Sequence, residues 1–190
     1  MNLVPLLTAL ALSAACAAAG AAETVTVLGI PLGGKLKMPI RQCSLAELGT
    51  DVRSLCWVDR PNRLLGGYLW GSLKVPGSDQ RPRWAAGGAY RATIKKDGTL
   101  SSFDASTSQS DDFAEISKSI SGRFGRPQRE SKPGARIRSA EWARPEAQIQ
   151  LLCSWDIGCT AKFTSAATRA ANELELAARA AKEATRPLAP

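Results

Sequence analysis

Two short stretches near the end of the chain carry apolar residues at every second position, and each has a cysteine in that set. The stretches are residues 149–153 and 159–163, with Asp156 midway between them. Alternate side chains of a strand share one face, so a turn about Asp156 sets Cys153 opposite Cys159. The pattern predicts an antiparallel β-hairpin closed by a disulfide.

The start of the chain is apolar and uncharged. Residues 3–15 form an apolar stretch, small residues occupy positions 19–22, and the first acid is Glu23. This order is typical of a secretory signal peptide, although the usual Lys or Arg near the start is absent. The apolar stretch is shorter than the roughly 20 residues that a membrane span requires. We therefore predict a signal peptide over residues 1–22 and a periplasmic, exported protein.

Cys16 introduces a second interpretation of this segment. A cysteine that follows small residues at the end of an apolar stretch is similar to a bacterial lipoprotein signal, and Cys16 would then be lipid-anchored. Such signals favour a branched aliphatic residue three positions before the cysteine, where this chain has Ser13. We favour removal of Cys16 with the signal peptide. The rest of the chain has no apolar run long enough for a transmembrane span.

The remaining cysteines are Cys43, Cys56, Cys153 and Cys159. An even number of cysteines in an exported chain implies disulfides. Three pairings can be drawn, and closeness in sequence favours Cys43 with Cys56 and Cys153 with Cys159. A zinc site is the weaker alternative, because neither pair has the short knuckle spacing and the compartment is oxidising.

The clearest hairpin signal is the dipeptide Asp97-Gly98 within residues 89–107. A two-residue turn there makes one face of the hairpin mostly apolar. The predicted pairs are Lys96 with Thr99, Ile94 with Ser101, Ala92 with Phe103, and Tyr90 with Ala105. This register leaves Leu100 on the polar face.

Helical spacing follows the hairpin. Ser110 or Asp111 is the expected N-cap, and Gly125 is the expected end. The apolar residues that recur at this spacing are Phe113, Ile116, Ile120 and Phe124. The basic residues 126–138 that come next are expected to form a loop.

The last segment, residues 165–190, is rich in alanine and predicts a helix with a tail. Its large apolar residues are Leu174 and Leu176, so it offers little surface for burial. Together the elements predict an α+β fold over residues 23–164. We expect an antiparallel β-sheet of hairpins with one helix packed on it, followed by the Ala-rich C-terminal helix.

Three segments resemble small exported proteobacterial α/β proteins, many of them uncharacterised. They are the sequence Gly-Ile-Pro-Leu-Gly at 29–33, the Asp97-Gly98 hairpin, and the helix ending Arg-Phe-Gly-Arg-Pro at 123–127. The order of elements over residues 24–164 is similar to modules of the β-lactamase-inhibitor-protein and outer-membrane-assembly-lipoprotein kind. Those modules bind proteins rather than catalyse reactions. The resemblance implies an interaction role and transfers no site residue.

Catalytic chemistry finds little support in the residue types. The chain has no histidine, which excludes Ser-His and Cys-His nucleophile pairs and His-ligated zinc. Carboxylates are the remaining acid/base candidates, but Asp111 and Asp112 fit a helix start and Asp156 fits a turn. We predict no catalytic, cofactor-binding or metal-binding residue and expect the protein not to be an enzyme.

The chain is basic, with 25 Lys and Arg against 17 Asp and Glu. Between residues 53 and 96 the basic residues interleave with aromatic ones. The candidate partner-binding residues are Trp70, Arg81, Arg83 and Trp84, because Trp and Arg are enriched at binding hot spots. Trp84, flanked by arginines, is the aromatic most readily placed on the surface. The alternative is a solvated basic face with the tryptophans in the core.

The expected compartment selects among partners for a basic surface. Single-stranded nucleic acid would suit aromatics among arginines, but export argues against it. We predict a non-enzymatic periplasmic protein-interaction module, such as an inhibitor, an immunity factor or an envelope-complex subunit. The alternative is a binder of anionic envelope glycans or lipids, to which a basic surface is attracted at long range.

Overall fold

The structure is a computed structural model. It describes residues 26–27, 29–36, 40–65, 67–77, 81–85, 89–107, 113–132 and 136–184. The predicted signal peptide with Cys16, the expected caps Ser110 and Asp111, and the end of the tail lie outside these residues. Over the described ranges, none of the helices has the length and apolar character needed to cross a membrane.

A single antiparallel sheet of eight strands forms the centre of the fold, in the order β3-β4-β5-β6-β10-β9-β8-β7. A separate two-stranded ribbon pairs β1 with β2. The strands are β1 Thr26–Val27, β2 Ile30–Pro31, β3 Cys56–Leu65, β4 Tyr68–Lys74, β5 Ala89–Lys95, β6 Leu100–Ser106, β7 Arg129–Glu130, β8 Ile137–Ala143, β9 Ala147–Ser154 and β10 Gly158–Ser165. The helices are α1 Leu45–Leu48, α2 Phe113–Phe124 and α3 Ala166–Ala184, with a 3₁₀ turn at Arg83–Ala85. The predicted α+β fold is confirmed.

The hairpin of β9 and β10 has the predicted register. Cys153 lies opposite Cys159, and the other pairs on the same face are Leu151 with Ala161 and Ile149 with Phe163. Disulfides join Cys153 to Cys159 and Cys43 to Cys56, with Cα atoms 4.0 and 5.0 Å apart respectively. Both predicted disulfides are confirmed.

The hairpin of β5 and β6 departs from the predicted register near its turn. Tyr90 lies opposite Ala105 and Ala92 opposite Phe103, as predicted. A bulge then pairs Ile94 with Leu100 instead of Ser101. The turn is correspondingly one residue longer, because the Lys95 N–H donates to the carbonyl of Thr99. The predicted pairing of Ile94 with Ser101 is wrong, because the bulge moves Leu100 from the polar face into the core, where it is fully buried.

Helix α2 has the predicted apolar face and the predicted end, whereas its expected cap lies outside the described residues. Phe113, Ile116 and Ile120 are buried, and the helix packs on β8 and β9. Gly125 follows it with a φ of 73°, a conformation in which glycine ends helices at little steric cost.

The expected loop over residues 126–138 is wrong in part. Strand β7 lies within it, and β8 begins at Ile137. Residues Arg129 and Glu130 pair with Glu141 and Ala140 of β8 while their own side chains stay exposed. A charged sequence can therefore form this edge strand, because pairing uses the backbone alone.

The two faces of the sheet have different surroundings. One face carries Phe103, Trp142 and Ile149, which are buried beneath α2 and the apolar residues of the N-terminal segment. The other face, called the open face below, reaches solvent. Its side chains include Trp70, Ser72, Lys74, Arg91, Asp104, Ser106, Gln150, Leu152, Thr160 and Lys162.

The edges of the sheet are short or irregular. Strand β7 has two residues, and β3 contains Pro61, which has no backbone N–H. The pairing of β3 with β4 shifts register on both sides of Asp59. Helix α3 begins directly after β10 with Thr168 buried, but residues 170–182 are all exposed. Among the residues of α3 whose burial the structure describes, only those of the first turn are packed on the domain.

Candidate functional site

The aromatic residue predicted to lie on the surface is buried. Trp84 is 9% exposed and belongs to the main core, with its indole nitrogen buried and without a hydrogen-bond partner among the described residues. The surface placement of Trp84 is therefore wrong. The arginines that flank it in sequence do not keep it in solvent, because the 3₁₀ turn directs its ring inward.

The other candidate binding residues have three different environments. Arg83 is exposed, whereas Arg81 is largely buried and donates to the Val75 carbonyl at 3.1 Å and to Asp51 at 3.3 Å. Trp70 is half-buried on the open face, with the guanidinium of Arg91 5.2 Å from its ring centroid. The predicted set does not form one exposed patch.

A different tryptophan is exposed at the end of the disulfide-closed hairpin. Trp155 and Ile157 are 78% and 77% exposed, and both lie in the turn between β9 and β10. Ile137 and Leu152 are also exposed, and they are diagonal neighbours on the open face because Ile137 pairs with Ser154. We call Ile137, Leu152, Trp155 and Ile157 the tip patch. The alternation that predicts the hairpin also implies that its turn residues project outward, which is the signal for Trp155.

Charged side chains accompany the tip patch. Lys132 and Arg136 are exposed, and Arg136 directly precedes Ile137. Asp156 lies between Trp155 and Ile157 in the turn. The Ser154 hydroxyl donates to its carboxylate and holds the pKa of Asp156 below its usual value. Asp156 is therefore ionised at neutral pH.

A groove of about 770 Å³ lies on the open face, mainly over β3 to β6, and reaches Thr160 of β10. Its wall is residues 48–51, which follow α1. Its floor comes from five strands and includes Ser72, Arg91, Asp104, Ser106 and Thr160. The groove therefore brings together residues that are far apart in sequence.

The wall of the groove is tied to the sheet. The Cys43–Cys56 disulfide holds the segment before α1, and the Lys74 ammonium donates to the Leu48 carbonyl at 2.9 Å. Glu47 accepts hydrogen bonds from Arg41 at 2.5 and 2.6 Å. These bonds, with further bonds from the Ser44 cap, lower the pKa of Glu47 to about 2. The wall is thus positioned before any ligand arrives.

Asp104 is the most unusual group of the groove floor. It lies on β6 directly between Arg91 of β5 and Lys162 of β10. Its Oδ1 atom is buried and has no hydrogen-bond partner among the described residues. Burial raises the pKa of Asp104, an effect that Lys162 and Arg91 oppose. The only sequence signal for it is a lone acid within an otherwise uncharged strand.

The described residues contain no group of three or more side chains that could hold a metal ion. Of the acid/base candidates that the sequence offered, Asp111 and Asp112 lie outside the described residues and Asp156 belongs to the turn of the tip patch. Asp104 in the groove is the carboxylate with a raised pKa among the described residues.

Comparison with known proteins adds little. No protein-family model matches the chain, and no curated protein matches it. Among solved structures, a DUF4309 family protein (YjgB) from Bacillus subtilis is similar over 47% of this chain and 67% of its own. The two chains are 14% identical over that part, with a TM-score of 0.29. A similarity at this level carries no argument about fold or function.

Proposed function

We propose that this protein is an exported, non-enzymatic interaction module that docks on another envelope protein through the tip patch. The observation that carries the proposal is the exposure of Trp155 at 78% on a turn closed by a disulfide. Exposed apolar side chains that cluster on a soluble surface mark interaction sites. Tryptophan is among the residues that contribute most to binding energy.

The Cys153–Cys159 disulfide supports this role. A partner must order the residues that it binds, and that ordering lowers affinity. The turn of residues 155–157 is bounded by an uninterrupted ladder and by the disulfide, so its conformation is already restricted. Trp155 can therefore enter a pocket with little further loss of entropy.

Export is part of the proposal and has two supports. The two disulfides suit an oxidising compartment, and residues 1–22 have the pattern of a signal peptide. Such a compartment restricts partners to periplasmic or envelope proteins. An inhibitor, an immunity factor or a subunit of an envelope complex would all use such a surface.

Asp156 favours a protein partner over an anionic lipid surface. The carboxylate lies between Trp155 and Ile157, so insertion of both side chains into a bilayer would bring it to the phosphate groups. Like charges disfavour that approach. A protein pocket can place a donor against Asp156, and acids at its rim would complement Lys132 and Arg136.

The test is capture from the periplasm with matched variants. Tagged protein exported by its native host is cross-linked and recovered at moderate salt as wild type, Trp155→Ala and Leu174→Ala. Leu174 is 74% exposed on α3, so its variant removes a comparable exposed apolar group elsewhere. We expect one captured protein, bound about thirtyfold more weakly by Trp155→Ala and unchanged by Leu174→Ala.

Two results would contradict the proposal. One is a captured protein that Trp155→Ala retains fully. The other is the absence of any captured protein together with binding to vesicles that contain phosphatidylglycerol. In the second case binding that falls steeply with salt would favour the alternative, an anionic lipid or glycan ligand.

A further inference from the structure

The groove on the open face has the size and rigidity of a small-molecule site. Its volume of about 770 Å³ lies within the range of roughly 300–1,000 Å³ that ligand pockets span. Its wall is fixed by the Cys43–Cys56 disulfide and by the bond from Lys74 to the Leu48 carbonyl. A ligand would therefore meet a surface that is already formed. This surface extends to Thr160, the cross-strand neighbour of Leu152 in the tip patch, but it does not include Trp155.

Asp104 specifies one property of such a ligand. A buried carboxylate oxygen without a hydrogen-bond donor is unfavourable, so a carboxylate in this position gains from any further hydrogen bond that it accepts. The Oδ1 atom of Asp104 has no such donor among the described residues. Because Oδ1 itself is enclosed, a ligand in the groove would donate to the other carboxylate oxygen of Asp104, which lines the groove.

The neighbours of Asp104 restrict the kind of donor. Arg91 and Lys162 lie directly beside it on the two adjacent strands, and Lys74 also lines the groove. An ammonium group on the ligand would be repelled by these three cations. The donor is therefore an uncharged O–H or N–H group.

The floor favours hydroxyl groups over a peptide. A bound peptide gains affinity by pairing its backbone with a free strand edge, but β4, β5, β6 and β10 each have neighbours on both sides. The floor instead presents the hydroxyls of Ser72, Ser106 and Thr160. The Ser106 and Thr160 oxygens lie 3.1 Å apart, and each can also bond to a ligand hydroxyl.

The charges of the groove favour an acid on the same ligand. Arg81 and Asp51 form an ion pair, so their charges offset each other. The remaining charged groups of the lining are two cations, Lys74 and Arg91, and one anion, Asp104. We propose that the groove binds an acidic carbohydrate, whose hydroxyl groups donate to Asp104 and whose acid group contacts Arg91. This proposal goes beyond protein docking and is independent of it.

The test measures binding of defined sugars by chemical-shift changes in the ¹⁵N-labelled mature protein. The probes are digalacturonic acid, N-acetylneuraminic acid and glucose 1-phosphate, with lactose and inorganic phosphate for comparison. We expect at least one acidic sugar to bind with a dissociation constant of about 1 mM or tighter and to shift amides of β5 and β6. Lactose and phosphate should bind at least about tenfold more weakly, because each lacks one of the two chemical groups.

Variants assign the binding to the named residues. Asp104→Asn and Arg91→Gln should each weaken the bound sugar by about tenfold, since each removes a charged hydrogen-bonding partner. The matched controls are Asp156→Asn and Arg129→Gln, which make the same charge changes outside the groove. Arg91 is exposed, so Arg91→Gln should fold normally. It therefore tests the groove even if Asp104→Asn fails to fold.

Each other outcome overturns the proposal. Failure of all three acidic probes to bind below 10 mM, a threshold roughly tenfold above the expected constant, excludes an acidic sugar. If phosphate binds as tightly as the acidic sugars, the groove is a site for anions and not for carbohydrate. If lactose binds as tightly as they do, the acid group and its contact with Arg91 contribute nothing. Trp155→Ala should leave sugar binding intact, so this proposal and the docking proposal fail separately.

Discussion

The two halves of the eight-stranded sheet are built differently. In the half that contains β8, β9 and β10, the register continues without interruption along both ladders. In the half that contains β3 to β6, the register shifts on both sides of Asp59 and again after Thr93. The regular half ends in the tip patch. Most of the groove lies on the irregular half, and its floor reaches Thr160 of β10.

The contrast shows how one sheet can present two kinds of surface. A regular ladder holds a turn rigidly at its end, which suits a projecting anchor such as Trp155. Bulges bend strands and redirect side chains, which suits a concave surface. Six of the ten residues of β3 pair with β4, whereas every residue of β9 pairs with β10. The irregular half therefore depends more on the Cys43–Cys56 disulfide and on the close approach of the β3 and β4 backbones.

The largest expected effect is loss of the Cys43–Cys56 disulfide. Cys43→Ser with Cys56→Ser should lower the free energy of unfolding by about 3 kcal/mol, because the closed loop is longer than that of the second disulfide. Cys153→Ser with Cys159→Ser should lower it by about 2 kcal/mol. Urea unfolding measures both values.

Hydrogen exchange separates the local consequences of the two disulfides. Removal of Cys43–Cys56 should speed exchange in residues 43–52, where few backbone hydrogen bonds hold the chain. The paired amides of β9 and β10 should remain protected when their own disulfide is removed. If removal of Cys153–Cys159 instead caused the larger loss of stability, or the larger loss of amide protection, the regular half would be the one that depends more on its disulfide.

The next effect concerns the close approach of β3 to β4. A Cβ atom on Gly71 would lie 2.6 Å from the Asp59 carbonyl oxygen and 2.9 Å from the Pro61 nitrogen. Because both atoms belong to the backbone of the irregular strand, Gly71→Ala should destabilise the protein by about 2 kcal/mol. Gly122→Ala in α2 meets no atom within 4 Å and should stabilise it by about 0.5–1 kcal/mol. Thermal unfolding of the two variants in parallel checks the opposite signs.

The smallest effect is a gain in stability at Asp104. Its pKa is raised in the folded state, so the folded protein binds this proton more tightly than the unfolded chain. The carboxylate therefore lowers stability above its folded pKa, and this penalty disappears as the pH falls below the unfolded value. Asp104→Asn should raise the free energy of unfolding by about 1 kcal/mol at pH 7 and by less at pH 3.

Asp156→Asn is the matched control for this pH dependence. The pKa of Asp156 is lowered by the Ser154 hydroxyl, so its contribution is stabilising at neutral pH and disappears on acidification. The two variants should shift unfolding at pH 7 in opposite directions. A loss of stability in Asp104→Asn would mean that Arg91 and Lys162 outweigh the burial of the carboxylate.

The regular half could be predicted from sequence because its information is local. Alternation around Cys153 and Cys159 specifies the face and the register of the hairpin together. The spacing of Phe113, Ile116 and Ile120 specifies α2 in the same way. Each pattern is complete within one short segment, so it can be interpreted without knowledge of the rest of the fold. The apolar side of each element is then the side that is buried.

The irregular half could not be predicted to the same extent. The bulge at Ser101 results from competition between a two-residue turn and burial of Leu100, and the core decides the outcome. Trp84 is buried although arginines flank it, because the side of the 3₁₀ turn that faces the core depends on distant residues. Asp104 acquires its environment from Arg91 and Lys162, which only the strand order brings beside it.

The margins of the sheet determine how copies of this chain can meet. A neighbouring backbone would find only two residues to pair with at β7, and at β3 it would find a proline and a broken hydrogen-bond pattern. Neither margin is a good template for strand-by-strand growth into fibrils. Concentrated solutions should therefore resist amyloid-like aggregation, and association should occur through side chains.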